Sequence, residues 1–318
     1  MPGVLCNRSK KRVAMDYSLR VLGSGSAKPS INRFQTSQVL QMRERQFLID
    51  CGEGTQTRLR QYNSRTSRLN HIFISHLHGD HCLGLVGLLS TFGMLGRVSD
   101  LVIHSHPDLE RVMGEQIRFF TADCPYRILF EPFNPNASEI IYEDKAVTVR
   151  TLPLKHTVPT CGFLFEEKQL PRHMNKEMAD AFGVPIAFYK DLKEGQDFVT
   201  SDGEVVENRR LTTEPTPRKR MAYMSDTAYS EKNLQWIEGV DLLYHESTYL
   251  SDVDKVKLKT RMHSSAAQAA QLALKAGVRK LVLGHYSSTY ETSKPFEEEA
   301  RTIFPESYAA NDGDTFKF

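Results

Sequence analysis

The stretch "FISHLHGDHCLGL", residues 73–85, places three histidines and one aspartate within six positions, from His76 to His81. The order is H-x-H-x-D-H, directly after an apolar run. His76 and His78 lie two residues apart, so in an extended chain their side chains point to the same face. Asp80 and His81 are consecutive and can face different directions. This loop can therefore supply ligands to two metal ions, provided that the rest of the chain supplies the others.

Further metal-capable side chains stand where predicted strands end. His156 ends "RTLPLKH", Asp226 ends "RMAYMSD" and His285 ends "KLVLGH". His245 and Glu246 end "VDLLYHE". Loops at strand ends are where a rigid sheet can aim side chains at one point. A catalytic zinc has nitrogen and oxygen ligands with an open position, and a metal pair needs a bridging group such as a carboxylate. The sequence therefore predicts a two-metal hydrolase site.

Predicted strands precede predicted helices in both halves of the chain. "LNHIFIS" is a β-branched strand that leads into the histidine loop, and "CLGLVGLLSTFGML" predicts a helix that starts at the end of that loop. "GEGTQTRLRQYN" predicts a helix with a threonine cap, and "SSAAQAAQLALKAG" predicts one that Gly277 ends. This order predicts an α/β fold with two sheets flanked by helices.

Two segments stand outside this pattern. Residues 1–16 carry the basic run Lys10–Arg12 and predict a disordered extension, whereas residues 17–318 form the domain. From about residue 166 to residue 220 the chain is charged and loses the alternation of strands and helices. A stretch of this length is typical of a functional protrusion, so we interpret it as an inserted arm. The alternative is a flexible surface loop.

The composition of the chain limits the classes of protein to which it can belong. The chain has 318 residues, enough for a sizeable core, and no apolar run of membrane-spanning length. The net charge of +2 barely favours an acidic partner, so binding of nucleic acid requires local basic patches. The five cysteines form no C-x-x-C pair and the start lacks a secretory signal, so we expect free thiols in a reducing cytoplasm.

Several of these motifs resemble a known family. "SHLHGDH", "KHT", "MSDT" and "LGHYS" resemble the metallo-β-lactamase superfamily, and "IDCGEGTQ", "HEST" and "MHSSAAQAA" narrow the resemblance to short-form ribonuclease Z. That family trims the 3′ trailer from precursor tRNA. The resemblance covers residues 17–318 and implies an αββα sandwich of two mixed sheets flanked by helices. It also implies precursor tRNA as substrate, two zinc ions per subunit, and a homodimer in which one subunit's arm binds the tRNA that the other cuts. Manganese or iron are possible substitutes for zinc.

The resemblance implies a role for each motif residue. The first zinc would be held by His76, His78 and His156, and the second by Asp80, His81 and His285. Asp226 would bridge the two ions. Asp80 would also orient the attacking hydroxide. His263, at the start of the predicted helix "HSSAAQAAQLALKAG", would be the general acid, with Glu246 holding its ring. His245 would pack against or orient Glu246. The alternatives are a buried ion pair for Glu246 and a neighbour of a helix cap for His263.

Four other histidines lack the ligand pattern. His104 and His106 form an H-x-H without a following D-H, and they match no ligand of the family. His71 and His173 are isolated in the sequence. We therefore predict structural or exposed roles for all four.

Two segments depart from the family pattern. The arm has "VPIAF" at residues 184–188 in place of a Gly-Pro element, which leaves its cations to meet the phosphates of the tRNA elbow. The predicted contacts on the arm are Lys190, Lys193, Arg218, Lys219 and Arg220. The loop that usually reads P-x-K-x-R-N is "PSINRF" here, with Ile31 for lysine and Phe34 for asparagine. Arg33 is expected to contact the acceptor end of the tRNA.

Three functions are compatible with these features. The sequence favours a zinc-dependent endoribonuclease that leaves a tRNA 3′-hydroxyl and a trailer with a 5′-phosphate. One alternative is a phosphodiesterase, or another hydrolase of small substrates, on the same scaffold; such an enzyme has no need of an arm. The other is a metal-binding RNA adaptor without turnover, which has no need of an acid such as His263 beside the metals.

Overall fold

The computed structural model describes residues 17–252, 258 and 260–318, so the extension predicted for residues 1–16 lies outside the described residues. Within them, a first seven-stranded sheet has the order β18-β1-β2-β3-β4-β5-β6. In that set, β1 to β6 are Tyr17–Gly23, Ser37–Met42, Arg45–Ile49, Leu69–Phe73, Leu101–Ser105 and Ile128–Pro132, and β18 is Thr315–Lys317. Strands β3 to β6 run parallel and therefore end at one edge of the sheet.

A second seven-stranded sheet has the order β17-β16-β15-β14-β9-β8-β7. These strands are, from β7 to β9, Ile140–Glu143, Val147–Pro153 and Cys161–Glu167, and, from β14 to β17, Arg220–Met224, Leu242–Glu246, Leu281–Gly284 and Ser307–Ala309. Strands β14 to β17 are parallel, whereas β7, β8, β9 and β14 pair antiparallel. Both sheets are therefore mixed, as predicted.

Helices cover the outer faces of the two sheets. The helices whose bounds are described, α1 to α10 in chain order, are Thr55–Gln61, Gly79–Cys82, Leu85–Met94, Asp108–Phe120, Lys176–Ala181, Tyr189–Lys193, Asn208–Leu211, Leu234–Ile237, Ala266–Ala276 and Lys294–Arg301. Helices α3 and α4 pack on the first sheet, and α9 and α10 pack on the second. None of the helices in the described part of the chain is long and apolar enough to cross a membrane.

Aromatic side chains fill the space between the two sheets. Phe47 and Phe73 of the first sheet meet Phe163 and Tyr223 of the second, and all four are buried. The Phe73 and Phe163 ring centroids lie 5.5 Å apart. Burial of such rings contributes the largest apolar areas in a core. The resulting order of helices, sheet, sheet and helices confirms the αββα prediction.

The residues between β9 and β14 carry an apolar cluster of their own. Buried side chains of this cluster include Ala179, Leu192, Val206 and Leu211. Its short strands, β10 to β13, are His173–Met174, Phe198–Val199, Val205–Val206 and Thr212–Thr213. They form two antiparallel pairs, β10 with β13 and β11 with β12. This segment, which we call the arm, therefore packs on itself rather than running as a structureless loop.

The helix predicted to start at Cys82 starts later, so that prediction is wrong. Asp80 and His81 lie in the short helix α2, and α3 begins only at Leu85. The chain turns at Gly84 because its backbone passes close to Gly52: a Cβ atom on Gly84 would lie 2.0 Å from the Gly52 carbonyl oxygen. A larger residue cannot occupy this position without moving the backbone.

Two other predicted helix starts are also wrong. Thr55 is the first helical residue rather than the cap, because its hydroxyl donates to the Gly52 carbonyl, 2.7 Å away, and not to the helix. The helix after His263 begins at Ala266, where the Ser265 hydroxyl caps the Gln268 N–H. His263 therefore lies in the loop before α9. The predicted end of this helix at Gly277, with φ of 58°, is confirmed.

Candidate active site

The predicted metal ligands converge at the edge where the parallel strands end. The side chains that lie within 4.8 Å of one another form two sets, His76, His78, His156 and Asp226, and Asp80, His81 and His285. The loop after β4 and helix α2 supply four of them, and the ends of β8, β14 and β16 supply the others. Four segments far apart in sequence need no long loop to meet here, because both sheets end at this edge.

Asp226 lies between the two sets. Its Oδ2 atom is 3.7 Å from His76 Nε2 and 3.6 Å from His156 Nε2. Its Oδ1 atom is 3.2 Å from His81 Nε2 and 3.0 Å from His285 Nε2. Each carboxylate oxygen therefore faces one set, which is the arrangement that a bridging ligand requires.

Hydrogen bonds on the outer side of the imidazole rings fix their orientation. The Nδ1 atoms and their partners are His76 with Ser75 Oγ at 3.0 Å, His81 with Asp50 Oδ2 at 2.8 Å, His156 with the Met262 carbonyl at 3.2 Å, and His285 with Thr248 Oγ1 at 3.0 Å. These bonds leave the Nε2 atoms facing inward. His78 differs, because its Nδ1 atom faces the set and lies 3.0 Å from His76 Nε2. Partners of this kind orient the ring and set its tautomer in metal sites.

Asp50 is the main residue that the sequence analysis missed. Its carboxylate is fully buried and contacts His81, the Ser75 hydroxyl and the Tyr223 hydroxyl, the last at 2.7 Å. It follows β3 directly, so its position at a strand end, the same signal that singled out Asp226, could have identified it. Asp50 and Asp226 also share a left-handed backbone, with φ of 56° and 57°. Such backbone costs about 1–3 kcal/mol and clusters at functional sites.

Burial and neighbouring charges shift the pKa values of these groups in opposite directions. Burial and the neighbouring His81 hold the pKa of His76 well below its usual value, so its imidazole is neutral. Burial also opposes protonation of His81, but the carboxylates of Asp226 and Asp80 raise its pKa well above the usual value. The pKa of Asp226 is well below its usual range because nearby histidines outweigh burial. His81 and His285 likewise hold the pKa of Asp80 below its usual range, so Asp80 and Asp226 are ionised, as oxygen ligands must be.

These residues fit a pair of divalent metal ions. Neutral imidazole nitrogens and carboxylate oxygens are the donors that zinc, manganese and iron accept. The Nε2 atom of His81 is buried without a hydrogen-bond partner and points at Asp226 and Asp80. The two carboxylates favour a proton on this ring, and a metal ion bound there would take the place of that proton. The metal dependence of the protein therefore follows from its own donor set.

His263 and Glu246 lie beside the second set. Glu246 is fully buried, and its Oε1 atom lies 2.9 Å from His263 Nδ1 and accepts a hydrogen bond from the Thr227 N–H at 2.7 Å. Burial would lower the pKa of His263, but the Glu246 carboxylate raises it to about 9. His245, the neighbour of Glu246, instead directs its Nδ1 atom to the Glu246 backbone carbonyl at 2.6 Å. His245 therefore packs beside Glu246 and does not touch its carboxylate.

The predicted contact of Arg33 with substrate is not supported by the position of its side chain. Arg33 is 8% exposed, and its guanidinium donates to the carbonyls of Tyr290 and Glu291 at 2.7 and 3.3 Å. The guanidinium also lies over the Tyr286 ring, 5.0 Å from the centroid. Arg33 therefore holds the loop that follows His285, and it reaches the site only through that loop.

Ion pairs occupy most of the cations predicted to bind substrate on the arm. The Nζ atom of Lys190 lies 3.8 Å from Glu194. Lys219 pairs with Asp241 at 3.1 Å, and Arg218 and Arg220 both approach Glu166, at 3.6 and 2.9 Å. Arg220 also donates to two backbone carbonyls. Lys219 and Arg220 therefore hold the root of the arm, and their contact with substrate stays a prediction.

The four histidines predicted to be structural or exposed lie outside both ligand sets. His104 is buried and stacks on Phe73, and its Nε2 atom lies 3.0 Å from His71 Nδ1. The Nδ1 atom of His106 accepts from the Asp108 N–H at the start of α4. His173, an exposed residue, contacts the Thr216 hydroxyl. In the H-x-H of residues 104–106, His104 therefore packs in the core and His106 accepts a hydrogen bond at the start of helix α4.

Comparison with known proteins places the chain in a family. Over 296 residues, covering 93% of this chain and 93% of the other protein, it is 48% identical to ribonuclease Z of Bacteroides thetaiotaomicron. The chain belongs to the ribonuclease Z family. Ribonuclease Z of Porphyromonas gingivalis is 42% identical over 93% of this chain and 97% of that protein. Family models described as anti-Pycsar protein Apyc1 and as a beta-lactamase superfamily domain match residues 17–111 and 210–286.

Solved structures of ribonuclease Z relatives share the fold. The short form of human tRNase Z is 24% identical, with a TM-score of 0.65, and the match covers 94% of this chain and 98% of that one. A long form of RNase Z from yeast is 17% identical, with a TM-score of 0.68, and the match covers 95% of this chain and 42% of that one. At these identities the likeness concerns the metallo-β-lactamase fold alone.

Proposed function

We propose that this chain is a zinc-dependent endoribonuclease that removes the 3′ trailer from precursor tRNA by phosphodiester hydrolysis. The products are a tRNA with a 3′-hydroxyl and a trailer with a 5′-phosphate. Membership of the ribonuclease Z family supports the substrate. The position of Asp226 between two ligand sets, with the His263–Glu246 pair beside them, is the observation that carries the reaction type.

Each residue of the site has a part in the proposed reaction. His76, His78 and His156 would hold one zinc ion, Asp80, His81 and His285 the other, and Asp226 both. The ions supply positive charge that stabilises the phosphate and lowers the pKa of the attacking water. Asp80 accepts a hydrogen bond from that water and orients it for attack. Manganese or iron are possible substitutes, because the donors are imidazoles and carboxylates.

Departure of the ribose 3′ oxygen needs a proton, and we assign its delivery to His263. Glu246 holds the Nδ1 side of the ring, which turns Nε2 towards the ligand sets. The histidine side chain is 15% exposed, so it can reach a bound substrate. His263 could also join Asp226 and His285 as a metal ligand on distance alone. Its hydrogen bond to a buried carboxylate favours the acid role, since that carboxylate keeps the imidazolium charged.

We also propose that the enzyme is a homodimer. The ends of α3 and α4 expose Met94, Val98, Phe119 and Phe120, each more than half accessible. These ends lie together, because a Cβ atom on Gly93 would sit 2.1 Å from the Cys124 sulfur just beyond α4. A patch of this kind is typical of an interface with another protein. A second copy of the chain is the partner proposed here.

The proposed compartment is the cytoplasm. The four described cysteines, Cys51, Cys82, Cys124 and Cys161, are free thiols. Burial raises the pKa of the Cys82 thiol to about 11, so it is protonated and unreactive. Thiols that remain unpaired are typical of a reducing compartment.

A two-substrate assay separates this function from hydrolysis of small molecules. Purified protein is incubated with a precursor tRNA carrying a 3′ trailer and, separately, with a small phosphodiester. A variant without residues 168–215 is tested in parallel; β9 and β14 pair antiparallel, so a short turn can join them. We expect a single cut in the precursor tRNA that the deletion abolishes, with the small substrate still cleaved. Cleavage of the small substrate alone by the intact protein would favour the alternative phosphodiesterase.

A further inference from the structure

A groove of about 1070 Å³ lies at the end of the sheets opposite the candidate active site. Its walls come from the far ends of β1, β2 and β3, the segment after α1, the turn before β8 and the end of the chain. The direction of β3 shows the separation, because β3 starts at Arg45 in the groove and ends one residue before Asp50. At 3.3 Å per residue, these positions are roughly 17 Å apart.

The groove is strongly basic although the protein is nearly neutral. Seven of its 17 lining residues are arginine or lysine and one is glutamate, whereas the whole chain has 41 basic and 39 acidic residues. Three of the arginines are anchored by other protein groups; Arg43, for example, lies 2.5 Å from Glu167. The other four basic residues are Arg65, Arg68, Lys145 and Lys317. All four are exposed, and the described residues offer them no ion pair.

The groove and the arm differ in whether the cations predicted or proposed to bind RNA already pair with carboxylates. On the arm and at its root, Lys190, Arg218, Lys219 and Arg220 each lie beside a carboxylate. A cation already paired in this way gains less from meeting a phosphate, because the existing partner must be displaced. The four unpaired basic residues of the groove therefore remain available to phosphates, and they lie on one surface.

The groove is continuous with the root of the arm. Tyr17, in its wall, donates to Glu167 Oε1 at 2.9 Å, and Glu167 is the last residue of β9, where the arm begins. The Lys168 N–H bonds the Ala146 carbonyl at 2.7 Å, which joins the arm to the groove again. The groove therefore adjoins the root of the arm.

We propose that this groove binds the phosphate backbone of the double-helical body of tRNA, an inference that rests on the proposed function. Arginine and lysine contact phosphates, and the exposed amide of Asn63 suits a ribose 2′-hydroxyl. Only Tyr17 and Phe318 are aromatic, so the lining offers little for stacking of unpaired bases. The groove faces away from its own ligand sets, so in the proposed homodimer the RNA that it binds would be cut by the second subunit.

The test compares two variants with the same change in net charge. Arg65→Glu/Arg68→Glu alters the groove, and Lys232→Glu/Lys294→Glu alters two exposed lysines elsewhere. The dissociation constant for mature tRNA, which carries no trailer to cut, is measured from 50 to 300 mM salt. We expect the groove variant to bind mature tRNA about tenfold more weakly at 150 mM salt. Each lost phosphate contact lowers the slope of log K against log salt by roughly 0.7–0.9, so the plot for this variant should be less steep by about 1–2.

Turnover separates this inference from the function on which it rests. In the groove variant, KM for precursor tRNA rises by about the same factor, while kcat and cleavage of a small phosphodiester stay at the level of the control. Equal binding and equal salt slopes for the two variants would overturn the inference. Failure of the parent protein to cut precursor tRNA would instead contradict the proposed function. If the glutamate variant melts at a lower temperature, Arg65→Ala/Arg68→Ala gives the same comparison with a milder change.

Discussion

Glu246 Oε1 lies 2.9 Å from His263 Nδ1, at the edge of the two sheets where the metal-capable side chains lie. The carboxylate is buried and also accepts the N–H groups of Thr227 and Thr248, so it cannot turn away from the ring. One bond thus fixes both the direction and the charge of His263. This geometry joins a strand end to a loop 17 residues later, before helix α9.

Replacement of His263 tests its role as the acid. His263→Ala should lower kcat on precursor tRNA by about 10²–10⁴-fold, because the ribose oxygen then leaves without a proton. A small phosphodiester with a 4-nitrophenolate leaving group should lose far less activity, since that anion leaves unprotonated. His173→Ala, which removes an exposed histidine of the arm, is the control and should match the parent. Equal losses on both substrates would instead favour His263 as a metal ligand.

Replacement of Asp226 tests the bridge. Asp226→Asn should lower the metal content below two ions per chain after dialysis, because one carboxylate faces both sets. Asp50→Asn should weaken metal binding by about 10–100-fold, through the lost orientation of His81. Elemental analysis and melting temperature measure both effects, with Asp202→Asn, at an exposed turn of the arm, as the control. Two tightly bound ions in Asp226→Asn would contradict the bridging role.

The buried His71–His104 pair predicts a loss of stability in acid. Burial lowers the pKa of His71 to about 4, and burial with the neighbouring His71 lowers that of His104 to about 3. An unfolded histidine titrates near 6.5, so between these values the unfolded chain binds more protons and stability falls as pH falls. His104→Leu should make this slope shallower by up to about 1.4 kcal/mol per pH unit. Denaturant unfolding from pH 7.5 to 4.5 measures the slope, and an unchanged slope would contradict the buried, neutral state.

The exposed apolar ends of α3 and α4 predict the state of assembly. Phe119→Asp should convert the proposed dimer into a monomer, because an unpaired carboxylate is costly in an apolar interface. Light scattering after gel filtration gives the mass. Leu274→Asp, at an exposed apolar position on α9, is the matched control and should leave the mass unchanged. A parent protein that is already monomeric would contradict the proposal.

Sequence patterns predicted the features that depend on local order. The alternation of strands and helices, and residues such as Asp226 and His285 at strand ends, gave the two sheets and the convergence of the ligands. Sequence patterns did not predict the features that depend on tertiary contacts. The break between α2 and α3 arises where Gly84 meets Gly52, and Arg33 is buried because distant carbonyls at residues 290 and 291 accept its hydrogen bonds.

Charge was the least predictable feature of the molecule. Lys219 and Arg220 were predicted to contact RNA, and in the fold they pair with Asp241, just before β15, and with Glu166 of β9. Conversely, Arg65, Lys145 and Lys317 lie far apart in sequence and meet in one groove only when the chain is folded. Counting cations along a segment therefore does not reveal which of them remain available, since the pairing partners come from elsewhere.

The most direct test of the central claim maps the cut in a precursor tRNA. The 3′ end of the tRNA and the 5′ end of the trailer are identified after incubation with the parent protein, with His263→Ala and with the parent plus chelator. We expect one cut directly after the discriminator base, a 3′-hydroxyl, a 5′-phosphate, and loss of the cut in both other reactions. An intact precursor tRNA beside a cleaved small phosphodiester would contradict it.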